Sequence, residues 1–414
     1  MKQKTERIKK GFFKEKKIML TLDKVYRAGH LLKTVARCTD MIGSNGLADE
    51  CDFRLKAENL QLTGSFKLRG AYFKIASLPQ DGREIVACSA GNHSQGVSLA
   101  AGKLNRKAVI FMPSIAPLSK VEATKKLGAG IHLVDGVYDD AYMAAEAYCR
   151  EHDSIFVHPF DDEDVIAGQG SIALEILDQY PDVDTVLVPV GGGGLLAGVA
   201  FTLKQLKPEC KVYGVQAEGA PGMCRAFAEK QSITLEKVST FADGIAVKTP
   251  GNLTRELCCK YADGILTVSD DEIATAILTL MEKQKLVAEG AGAAGVAAVL
   301  AKKLDLTGRK VCAVISGGNI DVNILSRVIN RGLLSSGRVG ELKIAMLDKP
   351  GQLREVSSII ADYGANVIQV RHDPGGEHAD IIGCFLHIKM ETRNREQLMQ
   401  IRQAISDAGY QLLN

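Results

Sequence analysis

The chain has 414 residues, a length that predicts two or three domains. Its hydrophobic content of 46% and charged content of 24% are ordinary for a soluble globular protein. The formal net charge is only +2, so we expect neither nucleic acid nor an anionic membrane as a partner.

The cysteines and the N-terminus both indicate a cytoplasmic protein. Ten cysteines occur at irregular spacings without a Cys-x-x-Cys motif, and Cys258 and Cys259 are adjacent, which favours free thiols over disulfides. Residues 1–20 are rich in lysine and arginine and are predicted to form a basic tail. No apolar run has the length of a secretory signal or of a membrane span.

Strand and helix patterns alternate along most of the chain. In order, the predicted segments are helix 22–33, strand 52–56, helix 72–78, strand 84–88, helix 94–104, strand 108–112, helix 119–127, strand 131–134, helix 138–151, strand 185–190, helix 195–206, strand 211–215 and strand 311–315. Continuous apolar strands between helices are typical of parallel sheets covered on both faces. We therefore predict an α/β fold in which two units share one site.

The pattern changes near residue 331. Residues 331–338 are predicted to be a linker, and a βαββαβ order follows over 339–414, which is the ferredoxin-like arrangement. This segment has no catalytic cluster, so it is interpreted as a binding or regulatory module. His372 and His378 lie close together but without a third ligand, so no metal site is predicted.

Lys67 is the strongest candidate for a reactive side chain. It lies between Gly64 and Gly70 in the stretch Gly-Ser-Phe-Lys-Leu-Arg-Gly. A lysine that forms an imine needs close backbone approach and a dry surrounding, because its amine must lose a proton. A surface lysine at a helix start is the alternative interpretation of this stretch alone.

Three glycine-containing turns follow apolar strands. They are Ser89–Gly96, Gly191–Gly194 and Ser316–Asn319. Backbone amides at such turns converge on anions, above all where a helix begins. The four glycines match neither a Walker loop nor a dinucleotide-binding motif. Together with Lys67, these turns favour a phosphorylated aldehyde cofactor, pyridoxal 5′-phosphate (PLP).

These motifs resemble the fold-type II PLP enzymes, and among them the threonine ammonia-lyases. The resemblance spans 21–330, with a small lobe at about 72–158, and rests on Ser-Phe-Lys-x-Arg-Gly-Ala, Ser-Ala-Gly-Asn-His-x-Gln-Gly, Gly-Gly-Gly-Gly-Leu and Ser-Gly-Gly-Asn. Residues 339–414 resemble a single ACT domain, an amino-acid-sensing module. The implied architecture is a two-lobed parallel-sheet enzyme with a ferredoxin-like ACT domain.

The resemblance implies a role for each motif. Lys67 would hold the cofactor and act as the base, and Ser89 with its neighbouring amides would hold the substrate carboxylate. The implied cofactor-binding residues are Phe66, Lys67, Asn92, Gly191, Gly192, Gly193, Gly194, Leu195, Gly244, Glu289 and Ser316. The implied substrate-binding residues are Ser89, Ala90, Gly91, Asn92 and His93.

The implied reaction converts threonine to 2-oxobutanoate and ammonia, and serine to pyruvate. A neutral Ser316 facing the pyridine nitrogen favours loss of the β-hydroxyl, because the ring is then a weaker electron sink. Three positions depart from related enzymes. Ala90 replaces a serine of the serine racemases, Gln216 replaces an acidic ligand of a divalent cation, and Cys38–Met41 lacks the usual Thr-Pro-Leu.

Two alternatives remain open: a serine dehydratase or racemase, and a non-catalytic amino-acid sensor on a lyase scaffold. The ACT-like segment implies an effector, with isoleucine or valine suited to a biosynthetic role. The candidate effector residues are Asp348, Gly351, Gln352 and Asn366. Because such ligands bind between paired domains, a homodimer or homotetramer is expected.

Overall fold

The computed structural model describes residues 20–44, 46–374 and 382–413. The chain divides into two compact units, one up to Asp321 and one from Val322. The larger unit is α/β with parallel sheets, and the smaller one is an antiparallel sheet with helices, so the predicted fold class is confirmed. Within the described residues, no helix is long and apolar enough to cross a membrane.

Ten strands are described in the larger unit. In chain order they are β1 (Met41–Gly43), β2 (Asp52–Lys56), β3 (Ile85–Cys88), β4 (Ala108–Pro113), β5 (Gly130–Val134), β6 (Ile155–Phe156), β7 (Thr185–Pro189), β8 (Lys211–Ala217), β9 (Gly264–Val268) and β10 (Lys310–Val314). They form a six-stranded sheet in the order β1-β2-β10-β7-β8-β9 and a four-stranded sheet in the order β5-β4-β3-β6. Among the strand pairs that the structure describes in these two sheets, only β1–β2 is antiparallel.

Eleven α-helices are described in this unit. They are α1 (Leu22–Leu32), α2 (Lys67–Ala76), α3 (Asn92–Lys103), α4 (Leu118–Lys126), α5 (Tyr138–His152), α6 (Glu163–Gln179), α7 (Gly194–Leu206), α8 (Gly222–Glu229), α9 (Asn252–Tyr261), α10 (Asp270–Thr279) and α11 (Gly290–Leu300). Short 3₁₀ turns occupy Glu58–Leu60 and Asp243–Ile245, and a π-helical turn occupies Leu280–Gln284.

Burial explains why these strands form parallel sheets. Every residue of β3, β4 and β7 is buried, as expected for strands covered by helices on both faces. Helices α7 and α11 are buried from their first residue for ten residues, so they pack inside the unit rather than on its surface. The carboxyl ends of β3, β7 and β10 lead into the three predicted turns.

Helix α2 packs against α6, a helix that the sequence patterns did not predict. A Cβ on Gly168 would lie 2.6 Å from the Cα of Gly70 and 2.7 Å from the carbonyl oxygen of Arg69. Real Cβ atoms do not approach backbone so closely, so glycine is required at this crossing. The crossing fixes the helix that begins at Lys67.

A buried ion network supports the same helix. Arg69 donates to both carboxylate oxygens of Glu58 at 2.8 Å and to Glu175 at 2.6 Å. Lys56 donates to Glu175 at 2.6 Å and to the carbonyl oxygen of Thr39 at 2.6 Å. Thr39 belongs to the segment that lacks the usual Thr-Pro-Leu, and its hydroxyl donates to Glu58. This segment therefore anchors the network behind Lys67.

In the described part of the smaller unit there are three helices and four strands. They are α12 (Val322–Ser335), β11 (Val339–Leu347), α13 (Gln352–Asp362), β12 (Asn366–Asp373), β13 (Gly383–Glu391), α14 (Arg395–Asp407) and β14 (Gln411–Leu413). The sheet order is β12-β13-β11-β14, and all its pairs are antiparallel. Its core joins buried residues of both α13 and α14 to those of β11 and β13. This is the predicted βαββαβ arrangement.

The predicted linker needs a correction, because it begins inside α12. The helix continues to Ser335, and Gly337 then adopts φ +68°. The amide of Gly337 donates to the carbonyl oxygen of Leu334, and that of Arg338 donates to Leu333. A glycine in the left-handed region is a common way to end a helix. The Ser-Ser-Gly stretch is therefore a helix C-terminus, and the unit boundary lies nearer to Val322 than to residue 331.

Candidate active site

Lys67 is the first residue of α2, and its amine points into the interior. Its Nζ donates to the carbonyl oxygen of Pro159 at 2.8 Å. Desolvation lowers the pKa of the amine to about 8, while the nearby Glu289 carboxylate acts in the opposite direction. A larger fraction of this lysine is therefore neutral near neutral pH than of an exposed one.

The Lys67 loop is attached to the turn after β10. Ser65 and Gly317 form an isolated β-bridge, and the Phe66 amide donates to the Ser316 carbonyl oxygen at 3.1 Å. Gly64 has φ +68°, and a Cβ there would lie 2.4 Å from the Asn319 side chain. The structure thus brings Phe66, Lys67 and Ser316 together. Ser316 itself is only 2% exposed.

Glu289 and Asn92 form a second part of the site. Asn92 Nδ2 donates to Glu289 Oε1 at 2.6 Å, and Asn319 Nδ2 donates to Asn92 Oδ1 at 2.7 Å. Burial raises the pKa of Glu289 to about 7, with Asp243 acting in the same direction and Asn92 opposing it. A Cβ on Gly244 would lie 3.4 Å from Glu289 Oε1, so Gly244 also borders this carboxyl group.

The four glycines connect β7 to the start of α7. Gly193 has φ +100°, and a Cβ on Gly192 would lie 2.4 Å from the Phe160 ring. Thr254 closes the turn, because its hydroxyl donates to the Gly192 carbonyl oxygen at 2.6 Å. The first N–H groups of any α-helix have no acceptor within that helix. Those of α7, including the amide of Leu195, are therefore suited to binding an anion.

In the turn after β3, the backbone faces open space while the His93 side chain is directed into the core. The Ser89 hydroxyl accepts a hydrogen bond from the Gly91 amide at 3.1 Å. A Cβ on Gly91 would meet nothing within 4 Å, so open space lies in front of this turn. Ala90 is half-buried. The His93 ring points into the core, with Nε2 2.9 Å from the Val157 carbonyl oxygen, and burial lowers its pKa to about 3. His93 can therefore offer only its backbone to a substrate.

The segment after β6 also belongs to the site, although the sequence patterns did not predict it. Pro159 accepts the hydrogen bond of Lys67, and the neighbouring Phe160 packs against the glycine turn. His158 Nδ1 accepts from the amide of Asp161 at 2.8 Å, and burial lowers the pKa of this ring to about 4. A proline in a polar stretch directly after a strand was the available signal. This segment links Lys67 to the anion site.

These residues fit PLP. The glycine turn offers amides to a phosphate, Lys67 offers an amine of lowered pKa, and open space adjoins the turn at Ser89–Asn92. The Ser65 hydroxyl is buried and has no hydrogen-bond partner among the described residues, as expected where a polar ligand completes a site.

The residue that replaces the divalent-cation ligand of related enzymes is also buried. Gln216 Oε1 accepts from the amide of Cys224 at 2.8 Å, and the side chain is fully buried. Because Gln216 carries no charge and its oxygen is engaged, the position offers no carboxylate to a cation.

Comparisons with known proteins give the class. The family model described as pyridoxal-phosphate dependent enzyme matches residues 32–317, and the ACT domain model matches residues 341–407. Threonine deaminase isoform 2 of Solanum lycopersicum superposes with a TM-score of 0.72 at 35% identity, covering 75% of this chain and 92% of that one. The fold and the site therefore define a PLP-dependent enzyme of fold type II.

Curated relatives narrow this class. An L-threonine ammonia-lyase of Thermotoga maritima is 47% identical over 398 residues, which cover 95% of this chain and 99% of that protein. The catabolic L-threonine dehydratase of Escherichia coli K12 is 42% identical over 315 residues, covering 75% and 96%. The chain belongs to the threonine ammonia-lyase family of PLP-dependent carbon–nitrogen lyases and carries a C-terminal ACT domain, which confirms the resemblance drawn from the motifs.

The predicted effector residues lie in the smaller unit. Asp348 follows β11, and Gly351, at φ +96°, precedes Gln352 at the start of α13. Asn366 begins β12 and donates to Glu391 at the far end of β13. Because β11 and β12 run parallel, Asn366 lies at the end of the sheet opposite Asp348. One copy of the domain thus does not bring these residues onto one ligand.

Proposed function

We propose that this protein converts L-threonine to 2-oxobutanoate and ammonia, and L-serine to pyruvate and ammonia. The observation that carries the proposal is the Lys67 amine, whose pKa is lowered to about 8 and which lies among turns suited to a phosphate and a carboxylate. The similarity to relatives named threonine ammonia-lyases supports the choice of substrate.

Lys67 holds the cofactor and moves the proton. When bound, PLP would supply the carbonyl carbon that bonds to Lys67 or to the substrate amine, and a ring that withdraws electrons from the α-carbon. A neutral Lys67 Nζ accepts the α-proton, and the Pro159 carbonyl oxygen fixes the direction of that amine. The β-hydroxyl leaves as water, and a water molecule later releases ammonia, so no oxidant or reductant is required.

The other residues bind and orient. The amides at the start of α7 would hold the phosphate, and those at the start of α3 would hold the substrate carboxylate. Glu289, whose charge acts on the Lys67 amine, accepts the hydrogen bond that fixes the Asn92 side chain. Ser316 would offer the cofactor ring a neutral hydroxyl rather than a carboxylate, which would favour elimination.

Fold similarity alone does not separate ammonia-lyases from racemases. Maize serine racemase superposes with a TM-score of 0.70 at 30% identity, covering 76% of this chain and 98% of that one. Ala90 argues against racemisation, because a methyl group cannot carry a proton to the opposite face of the substrate. Lys67 argues against a non-catalytic sensor, because a sensor has no need of a desolvated amine.

We also propose that the protein is cytoplasmic and that an amino acid regulates it through the ACT domain. Isoleucine or valine is the proposed effector, held by Asp348, Gly351 and Gln352 of one copy and by Asn366 of a second, in a homodimer or homotetramer. The support is the placement of these residues at opposite ends of one sheet, which a paired domain would bring together. A biosynthetic L-threonine dehydratase of Lactococcus lactis is 39% identical over 382 residues.

The test is keto-acid release from threonine and from serine, with D-serine formation measured in parallel. The wild type is expected to release both keto acids and to form little D-serine. Lys67→Ala is expected to lower turnover by on the order of 10³-fold or more, and to abolish the visible absorbance of the bound cofactor. Lys103→Ala, an exposed lysine at the end of α3, is the control. Undiminished turnover in Lys67→Ala would refute the assignment.

A further inference from the structure

Three side chains with different metal-binding atoms meet at one end of the ACT-domain sheet. Asp348, His372 and Cys384 each place one ligand atom within 4.8 Å of those of the other two. His372 Nε2 lies 3.5 Å from Asp348 Oδ1. Asp348 and Cys384 lie 24 and 12 residues from His372, so no short ligand spacing marks the cluster in the sequence. His378 lies outside the described residues.

The sheet register places all three side chains on the same face. His372 of β12 pairs with Leu386 of β13, and Met346 of β11 pairs with Cys384. Directly paired residues share a face, as do residues two apart. Cys384 therefore shares the face of Leu386, and Asp348 shares that of Met346. This is the helix-covered face, where Leu386 is a core residue.

The strand directions also place them at the same end. Strands β11 and β12 both end there, β13 begins there, and the Asp348 amide donates to the Ile382 carbonyl oxygen at 2.8 Å. The pairing of β11 with β13 thus fixes the backbone at Asp348 and Cys384. The pairing of β12 with β13 fixes the backbone at His372.

We propose that Asp348, His372 and Cys384 bind a zinc ion, with water as the fourth ligand. Tetrahedral zinc has bonds of about 2.0 to 2.3 Å, which separate its ligand atoms by roughly 3.4 Å. The His372–Asp348 distance already fits, and the 4.8 Å limit on the others requires only side-chain rotation. A thiolate with an imidazole selects zinc over magnesium or calcium, which prefer oxygen ligands.

Burial distinguishes this cluster from a chance group of surface residues. Cys384 is 3% exposed, whereas the side chains of His372 and Asp348 are 49% and 58% exposed. The thiol thus forms the floor of the site, and the two outer ligands can close over an ion while leaving one position to water. Asp348 also begins the loop that leads to α13, so bound zinc restrains that loop. The proposal is independent of the reaction assigned to Lys67, and it shares Asp348 with the proposed effector site.

The first experiment measures metal binding by the full-length holoenzyme. The protein is treated with a chelator, supplied with Zn²⁺ or Co²⁺, and passed through a desalting column before metal analysis. One ion per chain is expected, and the Co²⁺ form is expected to show a thiolate-to-cobalt charge-transfer band with the intense visible bands of tetrahedral cobalt. Absence of stoichiometric metal would overturn the proposal.

The second experiment locates the ion. His372→Gln and Asp348→Asn change exposed side chains and are expected to fold normally, and each is expected to weaken Zn²⁺ binding at least tenfold in competition with a chromophoric chelator. Cys384→Ser is expected to abolish the charge-transfer band. His387→Gln is the matched control, because His387 lies on the same sheet but on the opposite face, 3.9 Å from Asp373. Equal binding by His372→Gln and wild type, or loss of binding in His387→Gln, would overturn the assignment.

Discussion

The pKa values of Lys67 and Glu289 lie close to each other and close to neutrality. Burial lowers the pKa of Lys67 to about 8 and raises that of Glu289 to about 7. Each shift disfavours the charged form, and the attraction between the two groups opposes both shifts. A small change of pH near neutrality therefore changes the charge of the site. In an unfolded chain the pKa values of both groups are far from neutrality.

Cofactor capture by the apoprotein is expected to depend on the protonation of Lys67. Only the neutral amine attacks an aldehyde, and the neutral fraction grows as pH rises through about 8. The second-order rate of PLP capture should therefore rise through this pH and then level off, as measured by stopped-flow absorbance. A midpoint near that of an exposed lysine, above pH 10, would contradict the desolvated position of the amine.

Glu289 is expected to make the stability of the cofactor-free protein depend on pH. Because the folded pKa is raised from 4.5 to about 7, the folded state binds more protons in this interval. Its contribution is complete below pH 4.5 and is lost as pH rises through about 7, a change of roughly 1 to 3 kcal/mol in the free energy of unfolding. Glu289→Gln keeps the acceptor for Asn92 and should remove this loss in urea titrations at pH 5 and 8.

The control for that experiment is Glu122→Gln, because Glu122 is an exposed carboxylate on α4. It should leave the difference between pH 5 and pH 8 unchanged. If Glu289→Gln shows the same pH dependence as the wild type, then the raised pKa of Glu289 is wrong.

At the scale of elements, the crossing of α2 and α6 determines where Lys67 lies. Gly168→Ala is expected to lower the free energy of unfolding by about 1 to 3 kcal/mol and to lower kcat, because backbone of Arg69 and Gly70 lies within 2.7 Å of the new Cβ. Urea titration and threonine turnover measure the two effects. Gly102→Ala in α3 is the matched control, since its Cβ meets its nearest neighbour at 3.7 Å. Equal effects of the two substitutions would contradict the crossing.

The strands and turns of the site were predictable because their signals are local. Buried parallel strands are continuously apolar, so β3, β7 and β10 and the polar or glycine-rich turns after them stand out in the sequence. The partition of strands between two sheets was not predictable, because β2 pairs with β10 from the other end of the unit. Contacts such as Lys67 with Pro159 depend on that pairing and on the unpredicted α6.

In the smaller unit, order was predictable and boundaries were not. The alternation of apolar residues identified the strands and helices of the βαββαβ unit, with ends within a few residues of those observed. The linker prediction was wrong because the sequence Ser335-Ser336-Gly337 is typical both of a flexible segment and of a helix C-terminus. Only the backbone conformation of Gly337 separates the two.

At the scale of the whole molecule, catalysis and regulation are assigned to separate units of one chain. Millimolar isoleucine is expected to change threonine turnover, and Asn366→Ala is expected to raise the effector concentration for half response at least tenfold. Gln403→Ala, an exposed change on α14, should respond as the wild type does. Sedimentation with and without isoleucine should show a dimer or tetramer. An unchanged rate together with a monomeric protein would contradict the proposed regulation.

The β-bridge between Ser65 and Gly317 joins residues that are synthesised far apart in time. After Lys67 has been added to the nascent chain, some 250 further residues must be synthesised before the turn after β10 can pair with the Lys67 loop. In a nascent chain Lys67 is therefore exposed to solvent and protonated, and it reacts poorly with PLP. Capture of the cofactor becomes a late event, which reports that the catalytic unit has been completed.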